Sequence, residues 1–289
     1  MADNADEALL ENTCDATIKS STRITPESTE EVRKLILQID DPTFRYAAGQ
    51  SIGVLVSGPH QFGNEFHHRR YSIANPVQTG NNQSIDLELL VRRCFYLDDI
   101  SGEQYPGIAS NYLCNARIGD KIKITGPYKS PFKIPADTSS NLLMIGTGTG
   151  VAPFRAFVRQ IYDQHNSGWK GNVRLFYGDQ GGMNLLYLNE EQKDLSQFYD
   201  DQTFKAFSVL TERPLARAED GLQDSLAANM EECSKFMQAP NTYVYVAGQE
   251  KTAKVLDKVM AEAFGSPEAW EKHKNSLINQ DRWAELLYH

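Results

Sequence analysis

No stretch of the 289-residue chain approaches the roughly 18 consecutive apolar residues that a membrane-spanning helix needs, so a soluble protein is expected. Cysteine is scarce. The four (Cys14, Cys94, Cys114, Cys233) lie far apart with no Cys-x-x-Cys pair, which excludes a readable zinc ribbon or iron–sulfur domain, and no metal site is expected. Basic residues are outnumbered, 29 against 38 acids, and the net charge of −9 argues against a nucleic-acid partner. The first 15 residues carry Asp3, Asp6, Glu7, Glu11 and Asp15 but neither a base nor an apolar export segment. With unpaired thiols this points to a reducing, cytoplasmic location. With 40% hydrophobic and 23% charged residues the composition is globular, and the length favours two domains.

The hydrophobic rhythm changes along the chain. Residues 1–15 read as a flexible acidic leader. Between Val32 and Thr125, short β-type runs (Val32–Ile39, Ser51–Val56, Arg70–Ala74, Ile85–Arg92, Lys121–Thr125) are broken by turn residues such as Asn75-Pro76, which predicts an antiparallel sheet or barrel. From Asn141 onward strands alternate with helices. Strands are predicted at Asn141–Ile145, Val173–Tyr177, Thr203–Leu210 and Tyr243–Ala247, and helices at Ala152–Tyr162, Leu222–Phe236, Lys251–Phe264 and Pro267–Ile278. That alternation predicts a doubly wound parallel sheet. The linker Phe132–Ser140 places the boundary so that residues 16–138 form the first domain and 139–289 the second.

Two segments carry candidate chemistry. The run Gly146-Thr147-Gly148-Thr149-Gly150-Val151-Ala152-Pro153 follows a predicted strand and opens a helix. Glycines let backbone approach a phosphate, and helix N–H groups then hold it. The same glycines equally suit a tight packing turn, and the spacing matches neither the dinucleotide fingerprint nor an ATPase loop. The run Arg69-Arg70-Tyr71-Ser72 supplies a bidentate diphosphate donor, a stacking ring and a hydroxyl, or else a solvated arginine pair beside an edge-strand tyrosine.

Taken in order, Arg69-x-Tyr71-Ser72, Val91-Arg92-Arg93, Gly107-Ile108-Ala109-Ser110-Asn111-Tyr112-Leu113, the glycine run, Tyr243–Gly248 and the terminal Trp283 and Tyr288 resemble plant-type ferredoxin–NADP reductases from about Thr17 onward. The resemblance implies an N-terminal antiparallel β-barrel binding FAD and a C-terminal α/β domain binding the nicotinamide nucleotide. It assigns Arg69 to the FAD phosphates, Tyr71 to the flavin face, Ser72 to the flavin nitrogen that takes hydride, and Tyr96 to the FAD ribose and adenine. Val91 joins the cofactor set, and Ile108, Ala109 and Ser110 lead a short helix (Asn111–Asn115) facing the FAD pyrophosphate. Arg92, Thr147, Gly148, Thr149, Gly150, Pro153, Thr211 and Gly248 fall to the nucleotide. Tyr288 would cover the other flavin face. The chain carries no iron–sulfur ligands of its own, so the one-electron partner is expected to be a separate ferredoxin- or flavodoxin-like carrier, which Lys121, Lys123, Lys129 and Lys133 could face.

The chain also departs from the pattern. Where NADP-specific members grip the 2′-phosphate with Ser-Arg and a later base and tyrosine, this sequence reads Val209-Leu210-Thr211-Glu212 and Glu219-Asp220-Gly221. Acids there should repel a 2′-phosphate and accept from ribose hydroxyls, so NADH is expected to serve as well as, or better than, NADPH unless Arg213 or Arg217 compensates. Ala247 stands where the family often has cysteine, and Leu286 where it has glutamate. Glu285, one residue away, is the candidate substitute, while His289 extends past the terminal aromatic. The implied activity is electron exchange between NAD(P)H and the carrier. The alternatives are the reductase component of an oxygenase, or a flavin-binding subunit with weakened nicotinamide turnover.

Overall fold

The computed structural model describes residues 13–25, 27, 29–41, 43–58, 60, 64–77, 84–98, 102–162, 168–178, 203–208 and 218–288. The chain divides into two compact units, Met1–Ser130 and Pro131–His289.

In the first unit, six antiparallel strands lie in the order β4-β3-β8-β1-β2-β5, formed by β1 (Thr13–Arg23), β2 (Val32–Ile39), β3 (Ser51–Ser57), β4 (Phe66–Ser72), β5 (Ile85–Arg92) and β8 (Lys121–Tyr128). Alternation explains the core. Leu35, Leu37 and Ile39 of β2 and Leu87, Leu89 and Val91 of β5 point inward and are fully buried. Just beyond β4, Ile73 bridges Leu89 and the Ala74 N–H donates to Glu88 O at 2.8 Å, so the two edge strands meet and the sheet closes on itself as a barrel. A hairpin of β6 (Phe95–Leu97) and β7 (Gln104–Pro106) leads into α1 (Ile108–Asn115). Thr13–Asp15, read from charge as part of the leader, are instead the start of β1, paired with Thr125, Ile124 and Lys123 of β8.

The second unit holds a five-stranded parallel sheet in the order β11-β10-β9-β12-β13. Its strands are β9 (Asn141–Thr147), β10 (Val173–Gly178), β11 (Phe204–Ser208), β12 (Thr242–Gln249) and β13 (Trp283–Tyr288). Both faces are covered, which is why β9 and β12 read as nearly continuous apolar runs. Helix α2 (Ala152–Tyr162) lies on the Tyr245 face, where Phe157 packs edge-on against that ring. Helices α5 (Glu250–Ala263) and α6 (Pro267–Asn279) cover Leu143, Val244 and Val246 on the other. Phe132 packs at a tilt against the rings of Phe154 and Tyr245, and Tyr245 Oη donates to Lys133 O, so residues assigned to a linker are built into this unit. The helical run expected over Leu222–Phe236 is two helices, α3 (Ala218–Ala228) and α4 (Met230–Gln238), parted at Asn229. There the side-chain amide bonds Ser225 O and competes with the helix backbone.

Candidate functional site

On β4, alternation puts His67, Arg69 and Tyr71 on one face and His68, Arg70 and Ser72 on the other. Tyr71 packs against the barrel core, and burial pushes its phenol well above the ordinary tyrosine range. It therefore stays neutral. Arg69 is exposed beside it. On the opposite face Arg70 lies 4.0 Å over the Tyr128 ring.

Helix α1 starts earlier than the sequence indicated. Its N-cap is Gly107, whose N–H donates to Cys94 O, and no side chain caps it. The N–H groups of Ile108, Ala109 and Ser110 thus form the open first turn. Ser110 lies inside this turn rather than before it: its hydroxyl donates to Gly107 O and accepts from Cys94 N. Arg93 locks the helix to the barrel by bonding Glu31 at 2.6 Å and both Asn111 and Asn115 at 2.9 Å. The one-turn spacing of the two asparagines could have signalled this brace. Val91 and Ala109 are buried in the core, so they can meet a ligand only through backbone. Arg92 pairs with Glu30 at 3.2 Å. Tyr96 is half exposed and stacks on Tyr105, with ring centroids 5.6 Å apart and planes at 22°; sequence reasoning missed this partner. Of the lysines considered for facing a carrier, Lys121 bonds Thr17 and Lys123 lies 3.6 Å from Asp15, while Lys129 and Lys133 are exposed.

In the second unit the glycine run forms a tight 3-10 turn, Gly148–Val151, followed directly by α2 with Pro153 in its first turn. Glycine is required here. A Cβ on Gly150 would stand 2.6 Å from Ala247 O, and Gly148 holds φ at 57°. Thr147 occupies the N-cap without capping, because its hydroxyl bonds Thr252 at 2.6 Å. The first N–H groups of the turn therefore have no side-chain cap. The turn lies at the carboxyl end of β9. Strand order reverses between β9 and β12, which is where open α/β sheets place their ligands. Gly248 (φ 144°) closes β12 beside Thr147, and Tyr288 ends β13 with its hydroxyl 3.4 Å from Thr147 O.

Glu285 is not at this end of the arrangement. Its carboxylate accepts from Trp283 Nε1 at 2.7 Å and meets Lys274 Nζ at 2.9 Å, on the helix-covered face. Leu286 and Tyr288 share the opposite face of β13. The catalytic role expected for Glu285 is therefore corrected to a structural one: a single residue's shift along a strand reverses the side chain. Thr211, with Val209, Leu210, Glu212, Arg213 and Arg217, lies outside the described residues, as do His289 and the side chains of Glu219 and Asp220. Among the described residues no cluster of three or more metal-ligating side chains occurs, and no helix is long and apolar enough to cross a membrane.

Comparison with known proteins agrees with this geometry. Residues 144–258 match the family described as an oxidoreductase NAD-binding domain. The ferredoxin–NADP reductase of a Spirulina species is 31% identical over 266 residues, covering 90% of each chain. Leaf isozyme 1 of Arabidopsis thaliana chloroplasts, which bears the same name, is 32% identical over 247 residues, covering 84% of this chain and 68% of its own. Among solved structures, the ferredoxin–NADP+ reductase of Plasmodium falciparum superposes with a TM-score of 0.72 at 20% identity, covering 96% of this chain and 97% of its own, and so shares the fold. With a barrel, a doubly wound sheet and a relative 31% identical over 90% of each chain, the chain belongs to the ferredoxin–NADP reductase family and is an oxidoreductase.

Proposed function

We propose that the protein exchanges electrons between a nicotinamide nucleotide and a one-electron protein carrier of the ferredoxin type through bound FAD. One observation carries this reading: each unit presents a helix entrance with no side-chain cap near an aromatic-bearing strand. In the first unit these are α1 and the strand of Tyr71; in the second, the Gly148–Val151 turn and the strand of Tyr288. FAD, when bound, supplies the conversion between hydride and single-electron chemistry.

The residues fit that cofactor. Arg69 and the N–H groups of Ile108, Ala109 and Ser110 suit its diphosphate, and Val91 can contribute only backbone. Tyr71 gives a neutral, half-buried face for the flavin ring, and Ser72 a hydroxyl at the strand end. Tyr96, already stacked on Tyr105, suits the adenine. On the nucleotide side, Thr149, Gly150 and Pro153 shape the pyrophosphate turn, while Gly248 and Tyr288 border the nicotinamide end. Arg92 remains a phosphate candidate once drawn from Glu30.

The acids Glu212, Glu219 and Asp220 support acceptance of NADH as well as, or better than, NADPH, although the relatives are named for NADP. Exposed Lys129 and Lys133 favour an acidic carrier, with flavodoxin as the second acceptor to assay. Four free cysteines fit a reducing compartment such as the cytoplasm. Steady-state kcat/KM for each nucleotide with a ferredoxin acceptor tests the reading. NADH should match or exceed NADPH. A tenfold NADPH preference, about 1.4 kcal/mol, overturns the nucleotide assignment, and absence of turnover with any carrier overturns the electron-transfer reading.

A further inference from the structure

The hydroxyls of Thr147 and Thr252 lie 2.6 Å apart, and both residues are more than nine-tenths buried. Each hydroxyl has one hydrogen. Their mutual bond consumes one of the two, and among the described residues neither hydroxyl has a further hydrogen-bond partner. Burying a hydroxyl hydrogen without an acceptor costs free energy, so native structures complete such a hydrogen with a water or a ligand. The surroundings point to that ligand. A Cβ built on Gly248 would stand 2.2 Å from Thr147 Oγ1 and 3.1 Å from Thr252 Oγ1, so both hydroxyls converge on the bare backbone of Gly248. Thr252 sits in the first turn of α5, whose N-cap Gln249 makes no side-chain capping bond. Tyr288 reaches Thr147 O from the end of β13, across β12.

We propose that the Thr147–Thr252 pair donates its remaining hydrogen to the carboxamide oxygen of the nicotinamide ring, making Thr252 a positioning residue for hydride transfer; this rests on the reading of the protein as a nicotinamide-dependent reductase. The pair favours an amide over a phosphate on two grounds. The Gly148–Val151 turn already provides the anion-binding N–H groups, and two neutral hydroxyls in a buried position suit a neutral acceptor better than a charge that would need full compensation. Thr252 has no signal in the sequence, since a lone threonine early in a helix is ordinary. Only the fold brings it to Thr147, 105 residues away.

Thr252→Val keeps the shape and deletes one hydroxyl, and Thr252→Ser restores it. Two measurements on the FAD-loaded protein decide the matter: the limiting rate of flavin reduction by NADH and by NADPH in stopped flow, and the calorimetric affinity for ADP-ribose, which shares the diphosphate but lacks nicotinamide. The valine variant should lose about three- to tenfold in limiting rate, keep wild-type ADP-ribose affinity, and recover its rate in the serine variant. Equal rates in wild type and Thr252→Val overturn the proposal. So does a parallel loss of ADP-ribose affinity, which marks general damage to the loop. A wild-type flavin that neither nucleotide reduces overturns this inference together with the functional reading on which it rests.

Discussion

Gly150→Ala puts the packing of the glycine turn on trial. The added Cβ would lie 2.6 Å from Ala247 O, 2.7 Å from the Ala247 carbonyl carbon and 2.8 Å from Gly248 N. All three atoms are backbone of β12, an interior strand of the sheet, so no side chain can rotate away. Gly150 does not have positive φ, so the penalty is steric rather than conformational. Overpacking of this kind costs about 1–3 kcal/mol. For a unit of this size, about 2 kcal/mol lowers the melting midpoint by roughly 4–8 °C. Relief requires the turn to move off β12, which displaces the N–H groups proposed to hold the pyrophosphate, and kcat/KM for the nucleotide should fall about tenfold or more. Scanning calorimetry and nucleotide-dependent flavin reduction read the two effects. Gly168→Ala is the control: Gly168 has φ 62° but nothing within 4 Å of a built Cβ. It should cost only about 1 kcal/mol of backbone strain and leave nucleotide use unchanged. A Gly150→Ala protein with wild-type midpoint and wild-type nucleotide kinetics refutes the reasoning.

Three further outcomes are expected. Glu285→Gln, weakening the contact to Lys274, should lower stability by about 1 kcal/mol in chemical denaturation while leaving the flavin reduction rate intact, because the carboxylate faces away from Tyr288; a tenfold rate loss would restore the catalytic assignment. Arg69→Ala should release flavin on gel filtration while the far-ultraviolet dichroism stays that of the wild type, since Arg69 is exposed and contributes to the ligand rather than the core; full flavin retention contradicts its phosphate role. A hydrogen bond from Arg93 holds the Glu31 carboxyl below its ordinary range, with Arg33 adding to it. Because the folded-state value is the lower one, this stabilisation is complete above about pH 4.3 and is lost as the pH falls through the folded value. Arg93→Leu should therefore flatten the acid limb of the stability–pH curve, and an unchanged limb argues against the pair.

Much of the architecture was legible because the relevant residues announce their geometry locally. Val32–Ile39 and Ile85–Arg92 alternate apolar and polar side chains and form β2 and β5 with those bounds, and Ala152–Tyr162 carries the helical period of α2. The glycine run was ambiguous alone. The packing of Gly150 against β12, a contact between positions about a hundred residues apart, could not be read from it. Thr252 was invisible for the same reason, and Tyr105 because the short hairpin that stacks it on Tyr96 has no periodicity to read. Glu285 shows the opposite error. Sequence proximity to Leu286 suggested substitution, whereas strand alternation sends neighbours to opposite faces. The start of α1 was misplaced because Ser110 looks like a cap, while Gly107, leaving β7 with extended backbone, takes that position.

The central claim is that a nicotinamide nucleotide reduces a flavin held by this chain. The direct measurement is anaerobic titration of the purified protein with NADH and, separately, NADPH while its visible spectrum is recorded. The account predicts a bound flavin band that bleaches stoichiometrically, with NADH at least as effective as NADPH. A flavin band that neither nucleotide bleaches contradicts it.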